Sequence, residues 1–269
     1  PALPEGPELA RTIKPMTSAS SPAFPAAAFD WLSPTTTAGR RPRSLLLGRA
    51  AAPVAALLAR GDDPLVAVDP SRAGLRSLLA RSPRALPVVA RPERLPFVPT
   101  SFDTVWIHQS FHSLLANAVL PELARVLVPG GHLAISYLAR DDSVPWVRRL
   151  AALVQTVDPA AMTSDHGMDS VDAVADSPFF EPPEVRTFRL WVPIARIDLL
   201  NMVAARFSDL APDQLSPLMV RVGDLYESSA RVPEPLLLPY QVRCWLAEVD
   251  HTELTAPLDL PDDGLQITL

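Results

Sequence analysis

Between Ser44 and Tyr137 the chain alternates short apolar runs with longer stretches whose apolar residues recur every three or four positions. Few architectures accept that rhythm. A short apolar run bounded by turn residues is a strand, and the helical stretch after it is long enough to carry the chain back parallel to that strand. Repeated, the unit predicts a parallel sheet with helices on both faces. The pattern places strands at 44–47, 65–69, 86–90, 103–107 and 131–138, and helices at 51–60, 71–80 and 113–127. In the last helix Leu115, Val119, Leu123, Val126 and Leu127 recur at helical spacing. Pro121 is expected to restart or kink it, because proline has no N–H to give. Pro129-Gly130-Gly131 is expected to end it, since glycine accepts the left-handed conformation of a C-terminal cap.

The flanks are organised differently. Residues 1–22, rich in Pro, Ser and Thr, read as an N-terminal arm. Order is expected from Phe24, with a short helix over 25–32 that carries Pro25 in its first turn. Past Tyr137 a helix is expected at about 144–157, followed by the acidic stretch Ser164-Asp-His-Gly-Met-Asp169, which reads as a lid or substrate loop around His166. Phe188, Leu190 and Val192 share one strand face, as do Val242, Cys244 and Leu246, and helices at 194–207 and 212–229 lie between them. The expected organisation is one domain over 23–249 with a helical insertion at about 141–235, and a surface tail at 250–269.

Composition narrows the function classes. With 269 residues, 48% of them hydrophobic and 20% charged, the chain can bury a sizeable core. A net charge of −6 offers no basic face for a nucleic-acid backbone, and Arg40, Arg41 and Arg43 read as a solvated loop before the first strand. Cys244 stands alone, which removes an intrachain disulfide and a cysteine-based zinc site. No apolar run reaches the roughly 18 to 20 residues that span a bilayer, so the expected location is the cytoplasm. Nucleophile-elbow, P-loop and helical zinc-protease patterns are absent.

Several segments carry a more specific signal. Leu65-Val-Ala-Val-Asp-Pro-Ser71 is an apolar strand closed by an acid. Glu93-Arg-Leu-Pro-Phe97 and then Ser101-Phe-Asp103 lead into the fourth strand, and Glu122-Leu-Ala-Arg-Val-Leu-Val-Pro-Gly-Gly131 joins a helix to the fifth. Phe24-Pro25 and Leu238-Pro-Tyr240 with Trp245 stand at the two ends. In this order, over about 24–248, the segments resemble class I S-adenosylmethionine-dependent methyltransferases of the small-molecule type. The resemblance implies a doubly wound, mostly parallel seven-stranded α/β sheet with a helical insertion before the last two strands. It implies methyl transfer to an oxygen or nitrogen of a small molecule, with S-adenosylmethionine as cofactor.

In such a fold the ligand lies across the carboxyl ends of the strands, near the point where strand order reverses. The resemblance places Gly48, Arg49, Asp69, Pro70, Arg91 and Pro92 on the cofactor side. Departures from the family pattern cluster there. Its glycine positions after Gly48 fall on Ala50 and Ala52, the acid two residues before Gly48 is Leu46, and the acid that would meet the adenine amino group is Arg91. A guanidinium has only donors and cannot accept that hydrogen bond. Asp69 either accepts the ribose hydroxyls or, in Asp-Pro-Ser, caps the next helix. Arg49 and Arg91 either favour a more anionic ligand than a sulfonium, or turn to solvent or plug the cleft against Asp69.

His108 and His112, in Trp106-Ile-His-Gln-Ser-Phe-His112, follow the fourth strand, where the family places substrate-facing residues. A histidine there can take a proton from an oxygen or nitrogen nucleophile. The plain alternative is a packing role for each. The pair is no metal site, because a third ligand at a recognisable spacing is missing. Two functions therefore stand side by side: a methyltransferase, and a methyltransferase-like binding or assembly module that does not bind the cofactor and works through a protein partner.

Overall fold

The computed structural model describes residues 23–33, 42–59, 63–159, 168–230 and 235–255. Seven strands run side by side: β1 (Ser44–Leu47), β2 (Leu65–Asp69), β3 (Leu86–Val89), β4 (Phe102–His108), β5 (Leu127–Arg140), β6 (Glu184–Ile194) and β7 (Leu236–Glu248). Their order is β3-β2-β1-β4-β5-β7-β6. The first five pair in parallel, and β7 is antiparallel to both β5 and β6. β1 pairs on one side with β2 and on the other with β4, which makes it the strand at which the order reverses.

Side-chain alternation explains the two-faced sheet. Leu45 and Leu47 enter one core with Val105, Ile107, Leu133 and Ile135, closed over by α4 (Ala116–Val126). Leu46 points the other way, into a core with Ala67, Trp106 and Ala134. That second core is covered by α1 (Ala26–Leu32), α2 (Ala52–Leu58) and α3 (Arg72–Leu79). A strand buried on both faces loses its polar alternation, which is why 44–47 reads as continuous leucine after Ser44.

A third core is helical. It joins α5 (Pro145–Gln155), α7 (Arg196–Arg206) and α8 (Pro212–Ser229) through Trp146, Leu150, Leu199, Val203 and Val222. A short α6 (Asp172–Ala175) precedes β6. The helical addition is therefore divided by β6: α5 and α6 come before the last two strands, whereas α7 and α8 lie between them. The helices read from the sequence at 194–207 and 212–229 are these last two, between the strands as expected. The acidic stretch around His166 lies outside the described residues as far as residue 167.

Two details around α4 also differ from expectation. The helix does not restart at Pro121 but continues through it, and burial of Val119, Leu120 and Leu123 around it offsets the one backbone bond that proline withholds. Pro129-Gly130-Gly131 does not cap the helix, which stops at Val126 with Leu127 already extended. The glycines instead form a kink inside β5, where the register jumps from Phe102↔Leu127 to Thr104↔His132. Gly130 has φ +71, and a Cβ on Gly131 would stand 2.8 Å from the Val128 carbonyl oxygen. After β7 the chain turns into a short α9 (Thr252–Thr255), and the His251 Nε2 lies 2.9 Å from the Ala124 carbonyl oxygen, which ties residue 251 to α4.

Candidate active site

A cleft of about 1050 Å³ opens at the carboxyl ends of β1, β2 and β4. Gly48, Asp69, Pro70, Arg91 and Pro92 line it, together with Gln109, Ser110 and His112. Gly48 is required twice. Its φ of +81 suits a residue without a side chain, and a Cβ there would come 3.3 Å from the Ser110 Oγ. The tight turn is held by its N–H, which donates to the Val68 oxygen at 2.9 Å, and by its carbonyl, which takes the Ala51 N–H at 3.2 Å.

The departures from the glycine pattern are unequal. The chain after Gly48 forms a 3-10 turn (Arg49–Ala51) leading into α2, and none of these residues has positive φ. The backbone therefore makes no demand for glycine at Ala50 or Ala52. Ala52 is buried and Leu46 is fully buried in the core beneath α1–α3, so neither lines the cleft. Of the small-residue positions only Ala50 puts its methyl group on the cleft wall. The Arg49 side chain lies outside the described structure.

Asp69 closes β2, 6% exposed. Its Oδ1 accepts the Ser71 N–H at 2.7 Å, while the Ser71 Oγ accepts from the N–H groups of Ala73 and Gly74 and caps α3. The Asp-Pro-Ser segment thus makes the helix entry and presents Asp69 to the cleft in one arrangement. Arg91 is exposed, starts a tight turn in which the Arg94 N–H reaches its carbonyl at 3.1 Å, and takes part in none of the ion pairs among the described residues.

That loop is pinned from α4. Arg125 grips Glu122 with Nε and one terminal nitrogen, each at 2.7 Å, and donates onward to the carbonyls of Phe97 and Leu95. Glu122 Oε1 accepts the Leu95 N–H at 2.6 Å. Burial alone would raise the Glu122 carboxyl, but the Arg125 and Leu95 hydrogen bonds, with the charges of Arg125 and Arg94, hold it below its ordinary range. The segments around Glu93 and Glu122, quoted separately from the sequence, are two halves of one clamp.

The two histidines part company. His108 ends β4 rather than following it, is 3% exposed, and is absent from the cleft wall. Its Nδ1 lies 2.9 Å from the Ser136 Oγ, and Phe24 meets its ring edge-on. Burial pushes its pKa down to about 4, with the Ser136 bond opposing. It is a neutral core residue, which corrects its expected place at the cleft edge. His112, in the 3-10 turn Phe111–Ser113, is exposed and lines the cleft. Its main-chain N–H donates to the Tyr137 phenol oxygen at 2.9 Å, and its Nδ1 lies 3.1 Å from the same atom.

Gln109, Ser110 and Tyr137 went unmarked in the sequence. Gln109 has φ +56, a conformation that costs about 1–2 kcal/mol for a residue with a side chain. Its N–H bonds the Ser136 carbonyl and its Nε2 the Leu138 carbonyl, so β5 holds it there. No residue type announces such strain. Among the described residues no group of three His, Cys, Asp or Glu side chains could hold a metal ion, and no helix is long and apolar enough to cross a membrane.

Residues 45–135 match the family described as a methyltransferase domain. An uncharacterized methyltransferase of Mycobacterium tuberculosis is 36% identical over 133 residues, which is 49% of this chain and 53% of that protein. One from Schizosaccharomyces pombe is 29% identical over 135 residues, 50% of this chain and 54% of the relative. The chain spans about half the length of these curated relatives. Among solved structures, one from Anaeromyxobacter dehalogenans assigned as a type II methyltransferase superposes with a TM-score of 0.51 at 21% identity, covering 85% of this chain and 97% of its own. One from Bacillus halodurans assigned to the methyltransferases gives 0.51 at 15% identity, covering 83% and 97%. At these identities the likeness is one of fold.

Proposed function

We propose that this chain, whose residues 45–135 match a methyltransferase domain, is an S-adenosylmethionine-dependent methyltransferase of the class I type acting on an oxygen or nitrogen of a small molecule. The observation that carries this reading is that Gly48, in its left-handed turn, and the Asp69 carboxylate line one cleft. A backbone without a side chain admits close approach of a ligand, and a carboxylate at the end of β2 can accept two hydroxyls of a ribose. The residues present fit the cofactor at these two points. Pro70 and Pro92 add apolar wall beside them, whereas Ala50 narrows the approach and Arg91 supplies donors where the adenine amino group needs an acceptor.

When bound, the cofactor supplies an electrophilic methyl group. The chain's own part is to hold the acceptor in line and to take its proton. His112 lines the same cleft as Asp69 and carries an imidazole nitrogen that can accept a proton, so it receives the acceptor's proton as the nucleophile's electron pair forms the bond to carbon. Gln109 and Ser110 orient the acceptor beside it. Binding and alignment account for most of the rate expected of such a site. A net charge of −6 suits a small acceptor in the cytoplasm better than a nucleic acid.

Calorimetric titration with S-adenosylmethionine tests the reading. The expected result is binding to the wild type that weakens at least about 10-fold in Asp69→Ala, the loss of hydrogen bonds to a charged group. Absence of heat at high cofactor concentration would overturn it and leave a binding module on a methyltransferase fold.

A further inference from the structure

We infer that Tyr137 is a positioning residue for His112: its phenol oxygen accepts both the main-chain N–H and the Nδ1–H of His112, so that Nε2, across the ring, keeps an open lone pair for the acceptor's proton. The inference rests on the reading of His112 as that proton acceptor. Tyr137 lies in β5, 3% exposed, with its ring edge-on to Trp245 at 6.0 Å. Its oxygen lies 2.9 Å from the His112 main-chain nitrogen and 3.1 Å from Nδ1. The Ser170 side chain, from the 3-10 turn Met168–Val171, bonds the same phenol.

A phenol gives one hydrogen and accepts about two. The Phe111 main chain also reaches the phenol; among the hydrogens that can move, those of the His112 ring, the phenol and Ser170, two arrangements decide the tautomer. In one, Tyr137 accepts both His112 hydrogens and gives its own to the Ser170 oxygen. In the other, Tyr137 gives its hydrogen to Nδ1, and His112 then presents an Nε2–H, a donor with no capacity to take a proton. The first arrangement survives the reaction unchanged. When Nε2 takes a proton, the Nδ1–H bond to the phenol stays as it was, and no hydrogen has to turn. Donors and acceptors already aligned for the charged state lower the barrier because nothing reorganises. Burial raises the Tyr137 hydroxyl above its ordinary range, so the oxygen remains a neutral phenol beside the ring.

The ring nitrogens of His112 report the answer directly. With ¹⁵N-labelled protein, free of cofactor and acceptor and at a pH where the ring is neutral, Nδ1 should show the pyrrole-type shift and Nε2 the pyridine-type shift. In Tyr137→Phe the Nε2–H form should predominate, and kcat should fall roughly 10- to 100-fold with cofactor affinity unchanged. A wild-type ring protonated at Nε2, or a tautomer unmoved in Tyr137→Phe, would overturn the inference. If Tyr137→Phe does not fold, the wild-type spectrum still decides, and Ser170→Ala, at a half-buried position, should move the proton toward Nε2 by removing the acceptor of the phenol hydrogen. The Nδ1–H form in a protein that transfers no methyl group would uphold the positioning role while sinking the methyltransferase reading. An Nε2–H ring in a protein that binds cofactor would do the reverse.

Discussion

Gly74 lies directly against the Asp69 carboxylate: a Cβ on Gly74 would stand 2.5 Å from Oδ1 and 2.6 Å from both Cγ and Oδ2. The contact explains how a short acid at the end of β2 keeps one orientation, since α3 blocks one side and the Ser71 N–H holds Oδ1. In Gly74→Ala the carboxylate has to rotate out of that bond. Alanine gains about 1 kcal/mol of helix propensity over glycine. Overpacking costs about 1–3 kcal/mol, so a net loss in urea denaturation is expected, together with weaker binding of S-adenosylmethionine. A more stable protein with unchanged binding would show that Asp69 has room to yield.

Arg91 places a cation on the lining of the cleft proposed to take a sulfonium ligand, and its side chain offers only hydrogen-bond donors. Arg91→Asp restores an acceptor and removes the repulsion. Affinity for S-adenosylmethionine should rise roughly 3- to 10-fold, the range of one hydrogen bond. The gain should shrink with added salt, since the residue is exposed. Unchanged affinity would mean that Arg91 swings clear of the ligand.

The Glu122–Arg125 clamp should be visible in stability. Glu122→Gln keeps an acceptor for the Leu95 N–H but loses the two charge-assisted bonds to Arg125, at a cost of about 1–3 kcal/mol near neutral pH. Because the folded-state pKa of Glu122 lies below its ordinary value of 4.5, its contribution is fully present above that pH and is lost as the pH falls through the folded value. Denaturation midpoints of the two proteins should therefore differ at pH 7 and converge in acid. A constant gap down to acid would assign the loss to packing.

The parallel half of the sheet was legible because hydrophobic period is a local property: Leu45–Leu47 and Leu65–Asp69 carry it within four or five residues. The places of Gly48 and Asp69 at the cleft were legible because each stands at the end of a strand. Three matters were not. Whether Leu46 faces ligand or core depends on strand phase against α1–α3, which lie outside the run itself. The fate of Pro129-Gly130-Gly131 depends on β4, since a bulge and a cap use the same glycine conformation. His108 and His112 stand four residues apart in one motif, yet the chain leaves the strand at Gln109, and that left-handed step sends one ring into the core and the other to the cleft.

His108 gives the sharpest dependence on pH. In the folded protein its pKa is about 4, against 6.5 for an unburdened imidazole, because the charged ring would sit beside Phe24 in the core. Between these values the unfolded chain binds a proton that the folded chain refuses. Acidification therefore favours unfolding, so stability should rise with pH across this window and level off above about 6.5. From pH 7 to pH 5 the contribution amounts to about 2 kcal/mol, at about 1.4 kcal/mol per unit. Below the folded pKa both states are protonated and the slope from this group ends. In His108→Gln the amide can still reach the Ser136 hydroxyl, but no proton is exchanged on unfolding. Urea midpoints at pH 5 and pH 7 should consequently lie closer together in the variant than in the wild type. An equal drop in both proteins would show that another group, and not the buried ring, carries the acid sensitivity.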